Sequence, residues 1–431
     1  MTRLPVAAVL AMLTAGCTVT ATRPDPTYDL PSGRVVPGIE VLLSDSIALL
    51  RDKRVGILTN HAAVDREGKA SVDLLASDRR ARDANARLTL IFAPEHGIRV
   101  DQDSENVRDT IDPATRLPVI SLYGRRTVAP PDSLMRQLDV LVFDLPDIGT
   151  RTWTYVGLMI YSMRAAARTG KSIIVTDRPN PITGFFIEGP LLDSALANPE
   201  DDSPQRPGRA YALYPMPLRH GMTIGEMARF YNQELGIGAR LHVIPMRGWS
   251  RVLWYDRTGM PWVRPSPNMP SLQSAMLYPG LVAFEATNIS VGRGTPIAFQ
   301  WFGAPWMKVK EILDLFADRP LGGVRFVADT IWVANATDRK YPNQRVPGIR
   351  MIVTERNRIQ PSRIGATLLW ALAKTSRDSL RVDTLAFDLR YGSPAIRRAL
   401  MAGEDPDVLV DREYQAAFTF REQARRYFLY R

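Results

Sequence analysis

The 431-residue chain has one cysteine, four histidines and seven lysines. A single thiol, Cys17, excludes disulfides, cysteine-based zinc sites and thiol catalysis in a mature domain. Nucleotide signatures are missing too. No Gly-x-Gly-x-x-Gly follows the first strand-like run and no phosphate-binding Gly-Lys-Ser/Thr loop exists, so neither a dinucleotide nor a nucleoside triphosphate is expected and no cofactor is assigned. The chain also lacks a Gly-x-Ser-x-Gly elbow and a His-Glu-x-x-His pair, which argues against a serine hydrolase and a metalloprotease. After Cys17 no stretch offers the ~18 uninterrupted apolar residues of a membrane-spanning helix.

With 45% hydrophobic and 23% charged residues the composition is that of an ordinary globular protein, long enough for two domains. The formal net charge is +10, carried almost wholly by arginine. These arginines are scattered rather than gathered into a stripe, so no nucleic-acid partner is expected; an anionic polymer or surface suits the charge better.

Met1-Thr2-Arg3, the apolar run Leu4 to Leu13 and Thr14-Ala15-Gly16 before Cys17 have the order of an export signal. The Ala15-Gly16-Cys17 end resembles a bacterial lipobox, which makes residues 1–17 a lipoprotein-type signal and Cys17 the lipidated residue. Residues 18–37, with Pro24, Pro26, Pro31 and Pro37, read as a tether. The expectation is an exported protein, anchored to a membrane by lipid, in the periplasm or at the cell surface.

From Arg54 onward, short apolar runs alternate with helical segments. Strands are expected over Arg54–Thr59, Leu88–Ala93, Val119–Tyr123, Val140–Leu145 and Ser172–Thr176, and a helix over Tyr155–Thr169. Such alternation predicts an α/β fold with a doubly wound, mainly parallel sheet. A Pro- and Asp-rich stretch between Leu192 and Arg209 places a domain boundary near 205, giving domains over 38–205 and 206–431. In the second, Thr223 with Glu226 has the spacing of a capping box before a helix to Leu235. Further strands are expected over Leu241–Pro245, Val324–Asp329 and Ile349–Thr354. Met260 to Gly280, rich in Pro and aromatic residues, reads as a long ordered loop.

In open α/β sheets ligands bind beyond the carboxyl ends of the strands. The residues there are unusually polar: Asn60 and His61, Glu95 and His96, Asp144 and Asp147, then Asp177, Arg178 and Asn180. Asp and Asn at such positions also turn chains and cap helices. Glu95 beside His96 is different, because Glu is a poor turn residue and a carboxylate next to imidazole suits acid–base chemistry. Arg219 and His220 precede the Thr223 helix, whose positive end favours an anionic group. Tryptophans 249, 254, 262, 301 and 306 cluster in one region, and an exposed indole face is a common seat for a sugar ring. The His and Asp rim also leaves a metal-dependent hydrolase open as an alternative.

Nine segments in order, RVGILTNHAAVDREG, FAPEHGIR, VLVFDLPDIGTRTWTY, TDRPNPI, EGPLLD, YPMPLRHGMTIGEMA, PSPNMPSLQSAMLYPG, FEATNISVGRGT and GAPW, resemble the exo-β-N-acetylmuramidase family of glycoside hydrolases. The resemblance covers nearly the whole chain after the tether. It implies a Rossmann-like first domain, a smaller α/β second domain and a cleft between them. It further implies removal of N-acetylmuramic acid from non-reducing ends of peptidoglycan fragments, without a metal, during cell-wall turnover or recycling.

By the same resemblance Glu95 is the catalytic carboxylate and His96 its tuning neighbour. Asp147, Asp177, Glu188 and Glu285 are candidates for a second group, unless the substrate's own acetamido group takes that part. Arg178, Arg219 and Arg293 are candidates to clamp the lactyl carboxylate. Asn60, His61, Asn180, His220, Glu285 and Asn288 complete the expected substrate-binding set. Two positions depart from the family pattern: Pro146 stands where Gln is expected and Val291 where Glu is expected. A non-catalytic, lipid-anchored binder of peptidoglycan fragments is the alternative from a different class.

Overall fold

The computed structural model describes residues 34–95, 97–98, 108–122, 128–198, 211–334 and 336–431. Cys17, His96 and most of the tether lie outside them. Described residues from Arg34 on belong to one compact unit.

Among these residues, seven strands form the main sheet: β1 (Arg54–Thr59), β2 (Arg87–Ala93), β3 (Thr110–Ile111), β4 (Pro118–Ser121), β5 (Val140–Asp144), β6 (Ser172–Thr176) and, after a two-stranded ribbon of β7 (Glu188–Leu191) with β8 (Pro217–Arg219), β9 (Arg240–Ile244). Their spatial order is β3-β4-β2-β1-β5-β6-β9, and every pairing is parallel except that of the edge strand β3. Without β3, the six parallel strands lie in the chain order third, second, first, fourth, fifth, sixth. That is the doubly wound Rossmann-like order, and its direction reverses between β1 and β5, where a crevice opens at the carboxyl ends.

The strands are apolar on both faces because both are covered. Val55, Ile57, Ile91, Val142 and Ile174 pack with Ile39, Leu42 and Leu75 on one side. Leu58, Phe92, Phe143 and Val175 face the helix Thr154–Thr169 on the other, and that core continues into the C-terminal half. There β10 (Trp301–Gly303), β12 (Gln344–Val353) and β11 (Val324–Val333) form a smaller antiparallel sheet flanked by helices.

Three expectations change, and three helices are added to them. Strand β9 pairs with β6, so the large sheet runs past residue 205 and a boundary there would cut through it. The tether ends earlier than Pro37, since Val35 is fully buried and Val36 bridges to Arg247. The stretch from 260 to 280 is a loop only to Pro270; Ser271 then caps a helix over Leu272–Leu281, its hydroxyl accepting the Ser274 N–H. Three helices that periodicity does not reveal, Thr384–Tyr391, Pro394–Ala402 and Pro406–Ala424, follow capping Asp383, Ser393 and Asp405. The expected capping box is present: Thr223 and Glu226 cap the helix Ile224–Glu234 reciprocally.

The helix Leu272–Leu281 meets the helix Pro361–Ser376 backbone to backbone at Gly280 and Gly365. A Cβ on Gly365 would overlap the Gly280 carbonyl oxygen, and one on Gly280 would overlap that of Pro361. Neither obstacle is a movable side chain. Gly365→Ala is therefore expected to destabilise the protein by about 1–3 kcal/mol, read as a lower denaturant midpoint with unchanged slope; an unchanged midpoint would contradict this packing.

Candidate active site

Beyond β1, Asn60 turns the chain: its Oδ1 accepts the Ala62 N–H (3.0 Å) and its Nδ2 donates to the Tyr155 hydroxyl (3.0 Å). Tyr155 in turn donates to the carbonyl of Pro265 (3.0 Å), tying the long loop to the rim. The His61 N–H donates to the Ile98 carbonyl (2.8 Å), fastening the Glu95 loop to the end of β1. Glu95 is half-buried two residues past β2, and its Oε2 accepts the Thr154 hydroxyl (3.2 Å) at the start of the helix Thr154–Thr169. Burial, and secondarily the charge of Glu95, push the Tyr155 phenol above its ordinary value, so it stays a neutral donor.

A groove lies along this rim. Ala62 follows β1, Pro146 to Ile148 follow β5 and Arg178, Pro179 and Pro181 follow β6; the loop from Tyr255 to Pro265 forms the opposite wall. Of the five clustered tryptophans, Trp262 lines the groove, edge-on to Tyr255 with ring centres 5.2 Å apart, whereas Trp249, Trp254 and Trp301 are buried in the core. Pro146, one of the departures, forms groove wall, while Val291 is fully buried.

The remaining rim residues divide sharply. Arg178 is 3% exposed and grips Asp144 through two bonds (2.5 and 2.7 Å), with further donation to the Val64 carbonyl (2.9 Å) and the Ser71 hydroxyl (3.1 Å). Its guanidinium is committed to the scaffold, not to a substrate carboxylate. Asp177 does not pair with Arg178 by side chain; it accepts from Thr223 Oγ1 (2.8 Å), the Gly225 N–H (2.7 Å) and the Tyr430 hydroxyl (2.6 Å). The helix N-terminus does hold a carboxyl, then, and it is an internal one. Asn180 bonds the Met222 carbonyl (2.9 Å) and Ile182 N–H (3.1 Å). Arg219 is buried against Glu188 (2.9 Å) and the Ile182 carbonyl, stacked over Phe186. These four hold loops in place.

Asp147 lines the groove and stands 3.3 Å from Nε2 of the buried His220. In the C-terminal half Glu285 pairs with Arg293 (2.6 Å) and more distantly with Arg390 (3.6 Å). Asn288 is tied to the Ser379 carbonyl (2.9 Å) and the Arg381 N–H (2.8 Å), a loop clasp. From this half Tyr278 also stands edge-on to Trp153, with ring centres 6.3 Å apart. Of the metal alternative's residues, Asp144 and Asp177 are engaged in separate networks, and among the described residues no three His, Cys, Asp or Glu side chains are grouped to hold a metal ion. Residues the rim reading misses are Thr154 and Tyr155, whose signal is the Thr-Trp-Thr-Tyr run after β5, hidden by its place at a helix start.

A doubly wound layer with one carboxylate on its switch-point rim, a second in the adjoining groove and aromatic walls beside them is the framework of an α/β enzyme built for acid–base work on a ligand with apolar faces. The comparisons narrow this. Two family models match in series, exo-beta-N-acetylmuramidase NamZ, N-terminal, over residues 55–273 and exo-beta-N-acetylmuramidase NamZ, C-terminal, over residues 276–430. The peptidoglycan beta-N-acetylmuramidase NamZ of Bacillus subtilis is 36% identical over 403 residues, 92% of each chain. Two crystal structures of DUF1343 family proteins from Bacteroides fragilis align with TM-scores of 0.81 and 0.69 at 31% and 26% identity, each covering 92% of this chain and 99% of the other. The chain belongs to the NamZ exo-β-N-acetylmuramidase family of glycoside hydrolases. The junction of the two family models, between 273 and 276, falls after β9 and respects the large sheet.

Asp177 gives this site a pH signature. Burial pushes its carboxyl up to about 7; the Tyr430 hydrogen bond opposes this, the charge of Glu226 adds to it, and donation from Gly225 and Thr223 opposes it further. A folded-state value above the unfolded 3.8 means the native state binds the extra proton between these limits. This group's contribution to stability is thus fullest below about pH 4 and declines as pH rises to about 7, by a few kcal/mol. Denaturant titrations from pH 5 to 8 should show that downward trend, and Asp177→Asn should flatten it; an identical slope in both proteins would refute the assignment.

Proposed function

We propose that this chain hydrolyses the β-1,4 bond of the terminal, non-reducing N-acetylmuramic acid in peptidoglycan fragments, with Glu95 as general acid and then general base. The observation that carries the reading is Glu95 on the switch-point rim, oriented by Thr154 beside the groove, in a chain of this family. A glycosidic oxygen is a poor leaving group until protonated, and a half-buried carboxyl at a groove edge can deliver that proton as positive charge develops on the sugar ring. The same carboxylate then takes a proton from the incoming water. Family membership supplies the sugar: the Bacillus subtilis relative is named for peptidoglycan β-N-acetylmuramidase activity.

The biological setting we infer is cell-wall turnover or recycling, because a terminal-acting enzyme yields a free monosaccharide. Export and lipid attachment at Cys17 would place the enzyme beside its polymer, and the net charge of +10 suits an anionic one.

Incubation of the protein with N-acetylmuramyl-β-1,4-N-acetylglucosamine, followed by mass spectrometry, should reveal free N-acetylmuramic acid. Glu95→Gln, nearly isosteric, should lower kcat/KM by about 10²–10⁴-fold. Equal turnover by the variant would remove Glu95 from the chemistry. For the anchor, expression of the full chain in a bacterial host should place it in the membrane fraction and Cys17→Ser should release it; an unchanged distribution would discard the lipid attachment.

A further inference from the structure

Among the described residues, Asp147 is the one carboxylate that lines the groove, and its bonding is incomplete. The carboxyl is 2% exposed; its Oδ2 accepts the Gly149 N–H (2.6 Å) and faces His220 Nε2 at 3.3 Å, while Oδ1 has no hydrogen-bond partner among the described residues. The orientation of His220 is settled by its other nitrogen. Nδ1 accepts the Met222 N–H (3.1 Å), so the neutral ring carries its proton on Nε2, toward Asp147. Nε2 nevertheless makes no hydrogen bond among the described residues; it stands 3.3 Å from Asp147 Oδ2 at ion-pair distance only. Gly149 is the group that positions the carboxylate, and the oxygen left without a partner is Asp147 Oδ1.

A buried acceptor without a donor costs about 1–3 kcal/mol, more for a charged one, and calls for a reason. The groove supplies one. Arg178, on the same wall, spends its donors on Asp144, Val64 and Ser71, so it does not neutralise Asp147. The opposite wall is mostly apolar, formed by Met260, Val263 and Trp262 beside Tyr255, whose hydroxyl is spent on the Pro261 carbonyl (3.0 Å), and the Trp262 indole N–H also lacks a partner among the described residues. One anionic acceptor, one neutral N–H donor and apolar walls are what the groove offers.

Among the substituents of an N-acetylmuramyl ring, these match one. The lactyl carboxylate would meet the charge of Asp147 and be repelled. Hydroxyl clusters would be left short of partners against Met260 and Val263. An acetamido group has one N–H, one carbonyl and one methyl. The groove is also joined directly to the catalytic rim: Pro265 both lines it and accepts the Tyr155 hydroxyl, and Pro146 both lines it and accepts the Trp153 indole N–H (3.2 Å), with Thr154 on Glu95 in between.

We propose that the Asp147 groove seats the 2-acetamido group of the terminal sugar, with Asp147 Oδ1 accepting its amide N–H and the Trp262 wall holding its methyl end. The inference rests on the muramidase reading for the identity of the sugar, but the seat itself is defined by the acetamide. It makes Asp147 a specificity-determining residue and fixes the ring relative to Glu95.

The test uses the whole protein and two probes, free N-acetylmuramic acid and its N-methylacetamido counterpart, which keeps the carbonyl and lactyl groups but lacks the N–H. Calorimetric titration of the wild type should give at least about tenfold weaker binding of the N-methyl probe, the worth of a hydrogen bond to a charged group. Asp147→Ala should bind N-acetylmuramic acid about tenfold more weakly and discriminate between the probes less than threefold. Equal binding of both probes by the wild type overturns the proposal, and that result needs no variant to fold. Full discrimination retained in a cooperatively melting Asp147→Ala overturns it as well. Failure of the underlying reading looks different: disaccharide is not cleaved by the wild type, yet the N–H-dependent discrimination persists, which leaves the acetamide seat standing and removes the muramidase assignment.

Discussion

The rim depends on the buried pair of Arg178 and Asp144. Asp144 is the last residue of β5, Arg178 follows β6 by two residues, and the guanidinium also reaches Val64 and Ser71 beyond β1. One side chain thus binds the carboxyl ends of the strands that flank the switch-point crevice. Burial works to lower the Arg178 pKa, but the charge and hydrogen bonds of Asp144 outweigh it and keep the value above the ordinary one. Such a pair contributes little net stability against an apolar replacement, yet loss of one partner strands a charge in a dry interior. Its worth here is geometric. A planar fork with several fixed donors can hold three loops at set distances, which a lysine could not do.

A second network closes the structure from its far end. Asp177 accepts from the first turn of the helix Ile224–Glu234 and from Tyr430, and Glu226 of the same turn accepts the Leu429 N–H (2.8 Å) and pairs with Arg251 (2.6 Å). The last residues of the described chain are thereby latched beneath the large sheet's β6 end. The C-terminal half is not an independent satellite: its core is continuous with one face of the large sheet. This continuity explains how residues from 255 to 265 can wall a groove whose floor comes from β1, β5 and β6.

Much of this layout is legible in the sequence, and the reason is specific. Strands β1 and β6 are read to the residue because they are buried on both faces and bounded by Arg54 and Thr59, Ser172 and Thr176. The polar residues after them mark the rim for the same reason. What the sequence does not separate is which of those polar residues face a ligand and which face each other. Arg178, Asp177, Asn180 and Arg219 have the chemistry of binding residues, and each is consumed by a partner between 31 and 253 positions away: Asp144, Tyr430, Met222 and Glu188. Pairings at such separation have no local signature. The helix Leu272–Leu281 is missed for the opposite reason, since Pro279 near its end imitates a loop while the Ser271 cap gives a purely local start signal.

The two rim carboxylates, Glu95 and Asp147, then differ in a way their sequence context does not suggest. Both follow a parallel strand by two or three residues, yet Glu95 is half-buried and accepts a hydroxyl at 3.2 Å, whereas Asp147 is enclosed, fixed on one oxygen by a backbone N–H with an imidazole nitrogen 3.3 Å away. A group that must give up and regain a proton needs contact with the leaving oxygen and with water, and a half-buried position allows both. Recognition of a substituent needs a fixed acceptor in a dry recess, where a single hydrogen bond weighs most. If Glu95 serves the chemistry and Asp147 the recognition, as proposed, packing alone divides two acids on one rim, and the 255–265 loop that lines the Asp147 groove is the element that makes the division.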